Sequence, residues 1–370
     1  MNDPAFAITE RRPSMLTTRR FGWTRSRVVV LVAFALVVAA CSSGGWQEMP
    51  RPPIAGRGFA ASACSESSLV VWGGATVRRQ TDSENPSIVT IGTFADGALF
   101  DVSARQWRLL PLAPLTARWA PTAAVVNDKL VVWGGAGSVV SSDDLTDFDY
   151  PGDGAVLDLS TMVWTHLPGG PLQPRFGGTA VALSDREVFI YGGHATPGTD
   201  TSTLNAAFLD VSSLQISVVQ SPPIDSVVFA DRGRLLAINS LAVYEYASST
   251  NEWLLTPVEV TAEMGAPIAA VPLEGGTRAI VVSTSGSWVY EATSGFVALQ
   301  ASPTIGTDAQ VRSSSAGATI WDPASRSAWI LQDRTWEPLP TPRRLGNRKG
   351  ASVCQTPSSL IIWGGQDDRE

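Results

Sequence analysis

Four arginines recur at one position relative to an aromatic residue, and this spacing is the first feature with chemical potential. Each lies about 15 residues before the aromatic residue of an apolar run that ends in two glycines: Arg57, Arg118, Arg175 and Arg348. A guanidinium group presents a rigid fork of N–H donors that binds carboxylates bidentately. Four such forks around one opening would bind a carboxylate or an anionic sugar. The recurrence also fits a structural role, in which each arginine bonds to backbone carbonyls or to a neighbouring aspartate.

The two histidines and one acidic loop are the other candidates for chemistry. His194 directly follows a glycine pair and is the better candidate for binding, whereas His166 lies beside a tryptophan strand and is interpreted as structural. The loop SSDDLTDFDYPGDG clusters carboxylates that suit calcium, and its candidates are Asp143, Asp147 and Asp149. It lacks a recognised calcium-loop spacing, so a solvated acidic loop is the alternative. Nucleotide-binding glycine loops, zinc motifs and serine elbows are absent from the sequence, which predicts no cofactor.

The composition narrows the class of protein that must position these residues. The chain has 370 residues, enough for a large core, and its 33 glycines and 25 prolines indicate many short strands with tight turns. Residues 1–40 hold six arginines against two acids, so of the net charge of −7 residues 41–370 carry −11. An acidic domain repels phosphate backbones, and we therefore expect no nucleic-acid partner.

The N-terminus has the pattern of an export signal. Residues 19–27 hold four arginines, and the apolar run VVVLVAFALVVAA at residues 28–40 is short for a membrane span. The run ends in VAAC, which resembles the bacterial lipobox. That resemblance implies cleavage before Cys41, attachment of diacylglycerol to its thiol, and a lipid anchor at the extracytoplasmic face of the cell membrane. Residues 41–45 would then form a short tether; an uncleaved signal anchor is the alternative.

A recurring apolar string that ends in two glycines organises the remaining chain. LVVWGG begins at Leu69 and at Leu130, VFIYGG at Val188, and LIIWGG at Leu360. Unbroken apolar residues indicate strands that are covered on both faces. A small-residue strand precedes each run, and after the first three come a strand with aspartate and another outer strand. Such four-stranded units resemble kelch repeats, which implies a β-propeller over residues 46–370.

Counting the units predicts seven blades, three of which lack the glycine pair. The expected fold class is therefore all-β, a propeller of four-stranded kelch-like blades. The last unit has only its first two strands, Ala351–Cys354 and Leu360–Trp363, and Trp46 stands in the context of a tryptophan strand. The pattern predicts that this N-terminal strand completes the seventh blade and closes the ring. The third strand of that blade is missing, so either the blade has three strands or the chain is truncated.

Two cysteines occupy nearly equivalent positions in the first and last units. Cys64 lies in ASACSESSLVVWGG and Cys354 in ASVCQTPSSLIIWGG. These units become neighbours once a ring closes, and disulfides persist outside the cytoplasm. We therefore expect either a disulfide that clamps the seam of the ring or two buried thiols too far apart to bond.

Long insertions follow the glycine pairs of the first three units, at Ala75–Gly97, Ala136–Gly154 and His194–Asn205. In antiparallel blades these loops emerge on the same side as the links between blades, and we name this side the decorated face. Functional variation concentrates on such loops. The sequence therefore predicts a binding site off-centre, above blades one to three, unless the insertions carry no function.

Two functions from different classes fit these features. The first is a non-catalytic, membrane-anchored envelope protein whose propeller binds another protein or a glycan. The second is a kelch-like envelope enzyme that oxidises or otherwise modifies a carbohydrate, using the arginines, His194 and tyrosines such as Tyr191. The copper site of galactose oxidase, which uses the same propeller class, needs a histidine pair that this sequence lacks. The binding module is the expected function, because no catalytic constellation is present.

Overall fold

The computed structural model describes most of the chain after the N-terminal segment. The described residues are 7–10, 45–82, 85–141, 149–195, 205–273, 278–292, 294–315, 317–341 and 345–366. Regular structure in these ranges is β-strand, and no helix within them is apolar and long enough to cross a membrane. Cys41 and the apolar run at residues 28–40 lie outside the described residues.

The strands are short and follow one another closely along the chain. The first half contains β1 (Ala7–Glu10), β2 (Ala61–Cys64), β3 (Ser68–Trp72), β4 (Ala75–Asp82), β5 (Asn85–Thr93), β6 (Gly97–Asp101), β7 (Gln106–Leu109), β8 (Thr122–Val126), β9 (Lys129–Trp133), β10 (Val139–Ser141), β11 (Gly154–Asp158), β12 (Val163–Leu167), β13 (Thr179–Ala182), β14 (Glu187–Tyr191), β15 (Ala206–Asp210) and β16 (Gln215–Val219). The second half contains β17 (Val227–Asp231), β18 (Arg234–Ile238), β19 (Ala242–Ala247), β20 (Glu252–Glu259), β21 (Pro267–Pro272), β22 (Arg278–Ser283), β23 (Ser287–Glu291), β24 (Gly295–Ala298), β25 (Gln310–Ser314), β26 (Gly317–Asp322), β27 (Ser327–Gln332), β28 (Thr335–Pro338), β29 (Lys349–Gln355) and β30 (Ser359–Gln366).

These strands build a β-propeller with six four-stranded antiparallel blades. Blade 1 has the order β2-β3-β6-β7 and blade 2 the order β8-β9-β11-β12, and blades 3 to 6 use β13 to β28 four at a time in chain order. The first strands contact one another in succession from β2 to β25, and β29 contacts both β25 and β2. The propeller of four-stranded blades predicted from the sequence is therefore confirmed.

The predicted count of seven blades is wrong for four-stranded sheets, since the described residues form six of them. The last hairpin, β29 and β30, belongs to a three-stranded sheet whose third member is β1. β1 pairs antiparallel with β30, with Ala7 opposite Ile362 and Glu10 opposite Ser359. Within the described residues β1 occupies the edge of β30 where the third strand of a blade would lie, which gives this sheet three strands.

The segment around Trp46 forms no named strand, but its indole makes the contact that outer-strand tryptophans make in other blades. For Trp164, Trp253 and Trp46, Nε1 donates to a backbone carbonyl just beyond the outer strand of the preceding blade, and for Trp107 it donates to a carbonyl in the segment that follows Trp46. The pairs are Trp107 with Pro50 at 3.0 Å, Trp164 with Pro111 at 3.0 Å, Trp253 with Gln220 at 3.1 Å, and Trp46 with Pro340. Trp46 thus stands beside blade 6 as the outer tryptophan of a next blade would.

Burial follows the position of a strand within its blade. Every residue of β3 is buried, whereas β7 at the outer edge of the same blade is largely exposed. The core lies between blades: Trp72 of blade 1 packs with Leu130 and Leu157 of blade 2. Apolar runs ending in two glycines are continuous because the second strand is covered by a neighbouring blade on each side.

Part of the insertions on the decorated face is itself regular structure. β4 and β5, from the insertion of blade 1, form a hairpin, and β10, from the insertion of blade 2, pairs with β5. The hydroxyls of Thr93 and Ser138 are 2.6 Å apart and join the same two insertions. A small sheet therefore bridges blades 1 and 2 on the decorated face.

Candidate functional site

Three of the recurring arginines are buried and bonded within their own blades. Arg118 is fully buried: Nε donates to the carbonyl of Thr116 at 3.0 Å, and one terminal nitrogen donates to the carbonyl of Gly134 at 3.2 Å and to Asp153 at 2.8 Å. Arg57 makes the matching contacts with Ala55, Gly73 and Asp96, and Arg175 with Gln173, Gly192 and Asn205. We name these three residues the lock arginines.

The backbone of a lock arginine also connects its blade to the preceding one. The second glycine of a pair donates its N–H to the carbonyl of the next blade's arginine: Gly74 to Arg118, Gly135 to Arg175, and Gly365 to Arg57, at 2.8–2.9 Å. The first glycine lies against the same carbonyl, so that a Cβ on Gly134 would come within 2.3 Å of the Arg175 oxygen. These three glycine pairs therefore recur with the arginines because each of the three holds the carbonyl of the arginine that follows it around the propeller.

Electrostatics reinforce the locks. Burial lowers the pKa of Arg175 to about 10, which still leaves its guanidinium charged near neutral pH. Burial alone raises the pKa of Asp153, but hydrogen bonds from Arg118 and His166 outweigh this effect and hold that pKa below its usual value. The guanidinium groups of the lock arginines therefore bond to groups within the protein. This is the structural role that the sequence analysis gave as the alternative to ligand binding.

Arg348 stands at the matching position in the three-stranded sheet but lacks the matching contacts. Within the described part of the chain its guanidinium makes no hydrogen bond, and its Nε is buried without a partner. Each lock arginine donates a hydrogen bond to the acidic or amide side chain that directly precedes the third strand of its blade: Asp96, Asp153 or Asn205. Arg348 is unpaired because no such residue stands beside it in this sheet.

Beside the arginines, backbone hydrogen bonds form an arc on the decorated face. The second residue after each arginine has a positive φ: Phe59 at 53°, Ala120 at 49°, Gly177 at 65° and Gly350 at 67°. Gly177 donates to the carbonyl of Ala120, Ala120 to that of Phe59, and Phe59 to that of Gly350. These residues immediately precede or begin the first strands, so we name their arc the channel mouth.

Aromatic side chains line the channel mouth over blades 1 to 3. The ring of Trp119 lies 5.8 Å from Phe59 and 5.4 Å from Phe176, and Phe176 lies 5.5 Å from both Tyr150 and His194. All five rings are half-buried. We name them the aromatic row. The sequence carried a signal for it that was overlooked, since an aromatic residue follows each lock arginine by one or two positions.

Below the mouth runs an axial channel with a volume of about 730 Å³. Its walls are the inner strands of the six blades, mostly small residues such as Ala63 and Ala124, because the unpaired edge of each first strand faces the axis. Arg312 of blade 6 also lines it and donates to the carbonyls of Val353 and Val311. Burial lowers the pKa of Arg312, and no ion pair within the described residues neutralises it.

Arg312 was not foreseen because blade 6 lacks the glycine pair that marks the other blades. The string VRSSS at Val311–Ser315 precedes the apolar run ATIW and was its only signal. The remaining nitrogen of Arg312 donates to Gln310 Oε1 at 3.0 Å, so neutral acceptors hold this charged group on the wall of the channel.

The other predicted site residues are dispersed. His194 lies at the channel mouth, where its backbone exchanges hydrogen bonds with Phe176. Asp149 is exposed, and its carbonyl accepts from Gly137; Asp143 and Asp147 lie outside the described residues. In the described ranges no three histidine, cysteine, aspartate or glutamate residues group as metal ligands would.

Cys64 of β2 and Cys354 of β29 are joined by a disulfide, with their Cα atoms 5.5 Å apart. The bond closes a loop of 290 residues between the first blade and the three-stranded sheet. In the chain-entropy model so long a loop stabilises the fold by up to about 5 kcal/mol.

Removing this disulfide should lower stability by one fixed amount, whichever cysteine is replaced. Cys64→Ala, Cys354→Ala and the double variant are each expected to lose up to about 5 kcal/mol of unfolding free energy, since either change opens the same loop. Denaturant unfolding of the three variants measures this loss. Two free thiols at these positions in the denatured, unreduced wild type would contradict the bond.

Comparison with known proteins gives matches among solved structures only. No family model matches the chain, and no curated protein matches it. A solved structure described as "Structure of YjhT" is similar at 15% identity with a TM-score of 0.46, over 68% of this chain and 86% of that one. The six four-stranded sheets themselves identify the fold.

Proposed function

We propose that this protein is a lipid-anchored, extracytoplasmic binding module whose propeller holds a protein or glycan partner at the channel mouth. The aromatic row is the observation that carries the proposal. Half-exposed rings on a rigid scaffold bind sugar faces and apolar side chains at little entropic cost. The small sheet of β4, β5 and β10 stands on the same face and extends the surface beside the row.

The proposed ring has seven positions built from kelch-like units. The sheet of β29, β30 and β1 is its seventh, since β29 contacts both β25 and β2, and Trp46 bonds to Pro340 as the outer tryptophans of other blades bond to their neighbours. Two further contacts support closure of the ring: the hydrogen bond from the Gly365 N–H to the Arg57 carbonyl, and the disulfide. The last two of these contacts join the last sheet to blade 1, and those of β25 and Pro340 join this part of the propeller to blade 6.

The anchor places the decorated face towards partners. The segment around Trp46 begins on the side opposite the decorated face, and only Ser42 to Gly45 separate it from Cys41. Four residues span roughly 13–14 Å when extended. The opposite face would therefore rest near the membrane, with the channel mouth pointing away from it.

Replacing Cys41 should abolish anchoring. In the source cell, wild-type protein is expected to incorporate labelled fatty acid, fractionate with membranes and lack residues 1–40, whereas Cys41→Ser should carry no label and keep them. Intact mass and fatty-acid labelling measure this, with Cys64→Ser as the matched cysteine control that still takes the label. Unlabelled wild-type protein that retains residues 1–40 would contradict the anchor.

Truncating the aromatic row should remove binding. Full-length mature protein, immobilised through its N-terminus, is expected to capture a specific protein or glycan from solubilised envelope, and Trp119→Ala should reduce that capture tenfold or more because a central ring is lost. Trp253→Ala is the control: it also truncates a half-buried tryptophan, but on the outer strand of blade 4. Equal capture by both variants, or an empty eluate from wild type, would contradict the proposal.

A further inference from the structure

We propose that the axial channel holds a small monocarboxylate, which pairs with the guanidinium of Arg312. The site lies below the channel mouth and goes beyond the partner surface proposed there. The channel volume of about 730 Å³ falls within the range of about 300–1,000 Å³ that small-molecule sites occupy. Its lining extends from Pro121 and Gly178 at the mouth to Val125 near the end of β8, and a ligand would enter it from the decorated face.

The position of Arg312 in its strand is apolar in the other four-stranded blades. Arg312 lies opposite Thr319, the second residue of the apolar run ATIW. The residues opposite the second residue of the matching runs also line the channel, and they are Ala63, Ala124, Val181, Phe229 and Val271. Among the described residues of the lining, Arg312 alone has a charged side chain. A single cation therefore stands at this level of an otherwise apolar wall, and such a departure from the local pattern is typical of functional sites.

The guanidinium of Arg312 lies along the inner edges of two first strands. Its Nε donates to the carbonyl of Val353 in β29 at 3.0 Å, and one terminal nitrogen donates to the carbonyl of Val311 in β25 at 2.9 Å. The other terminal nitrogen donates to Oε1 of Gln310 at 3.0 Å. Both strands are edge strands of their sheets, and their free edges face the axis. These bonds therefore hold the guanidinium on the channel side of the wall.

The three hydrogen bonds fix this guanidinium without neutralising its charge. All three acceptors are uncharged oxygens, and no acid within the described residues pairs with it. Because a guanidinium carries five N–H donors, each terminal nitrogen keeps one that these bonds do not use. A charge inside a protein costs free energy until an opposite charge joins it. A ligand carboxylate would accept from the remaining donors and supply that charge.

The surroundings of Arg312 select the class of ligand. One cation offsets one carboxylate, whereas a dicarboxylate would bring a second negative charge that no second cation in the described lining meets. The apolar residues at the same level favour an aliphatic body. The net charge of the chain is −7 and gives no general attraction for anions, so binding would depend on this one residue.

The test titrates the full-length protein, in a non-ionic detergent, with pentanoate, its neutral amide pentanamide and the dicarboxylate pentanedioate. Calorimetry is expected to show saturable binding of pentanoate, and binding of the other two probes that is weaker tenfold or more. Pentanoate should also slow hydrogen exchange in Gln310–Ser314 and leave exchange in the outer strand of the same blade, Thr335–Pro338, unchanged. Absence of saturable binding would overturn the inference, as would equal binding of pentanoate and pentanamide.

Two variants assign the binding to Arg312. Arg312→Met should lose the preference for pentanoate over pentanamide, and Arg312→Lys should keep a preference because the positive charge remains. Arg108→Met, on the exposed outer strand of blade 1, is the control and should bind as the wild type does. A preference that survives in Arg312→Met would contradict the site. If that variant does not fold, the three probes and the exchange of β25 in the wild type still decide the inference.

Discussion

Gly134→Ala should destabilise the propeller far more than the same change at Gly192, although the two glycines are equivalent in sequence and conformation. Their φ angles are 65° and 64°, so alanine suffers the same left-handed strain of about 1 kcal/mol at each. At Gly134 the new Cβ would also lie 2.3 Å from the carbonyl oxygen of Arg175, whereas at Gly192 nothing lies within 4 Å. We expect a loss of about 1 kcal/mol for Gly192→Ala and of about 3 kcal/mol or more for Gly134→Ala.

The difference has a structural cause in the next blade. Blade 4 has no lock arginine, so the glycine pair of blade 3 receives none, while Gly135 holds the Arg175 carbonyl at 2.8 Å. Alanine at position 134 would push that carbonyl away and break the contact between blades 2 and 3. Denaturant unfolding of both variants measures the effect. Equal losses of unfolding free energy would show that the contact between the glycine pair and the next blade's arginine carbonyl does not hold the blades together.

Arg118→Met should cost about 3 kcal/mol of unfolding free energy. The change removes a fully buried guanidinium, takes this donor away from the carbonyls of Thr116 and Gly134, and leaves Asp153 with His166 as its side-chain partner. Removing one member of a buried ion pair costs about 3–5 kcal/mol, and the lower end applies because the Asp153 side chain is 27% exposed. Because methionine keeps a similar apolar stem, the loss of unfolding free energy is attributed to the charged group.

Arg108→Met is the matched control, because Arg108 is exposed on the outer strand of blade 1. The same substitution there should change stability by less than about 0.5 kcal/mol. Both variants are followed by denaturant unfolding at one pH. A small effect at Arg118, comparable to that at Arg108, would mean that the guanidinium is dispensable and would return the arginines to the ligand-binding hypothesis.

The blade architecture was predictable because it depends on local pattern. A strand buried on both faces must be continuously apolar, and a chain that turns against the next blade's carbonyl must carry glycine, so LVVWGG identifies the second strand by itself. The recurrence of Arg118 and its equivalents was visible, but its purpose was not. Which donors a guanidinium uses depends on residues such as Asp153, 35 positions away, that only the folded blade brings near.

The functional surface was harder to foresee for the same reason. Phe59, Trp119 and Phe176 are far apart in sequence and become neighbours only through the ring of first strands. Arg312 carried no repeat marker at all. In the last sheet the strand beside β30 is Ala7–Glu10, which the repeat pattern could not predict because it lies upstream of the segment that the sequence assigns to export.

Site-specific photo-crosslinking tests the central claim, partner binding at the channel mouth, most directly. A photoreactive residue at Ser138, exposed on the decorated face two positions beyond the strand partner of Trp119, is compared with one at Asp333, in an exposed turn on the opposite face. In intact source cells we expect a discrete crosslinked protein or glycan from position 138, lost in Trp119→Ala, and none from position 333. Crosslinks from position 333 alone, or from both positions without dependence on Trp119, would place binding elsewhere and contradict the account.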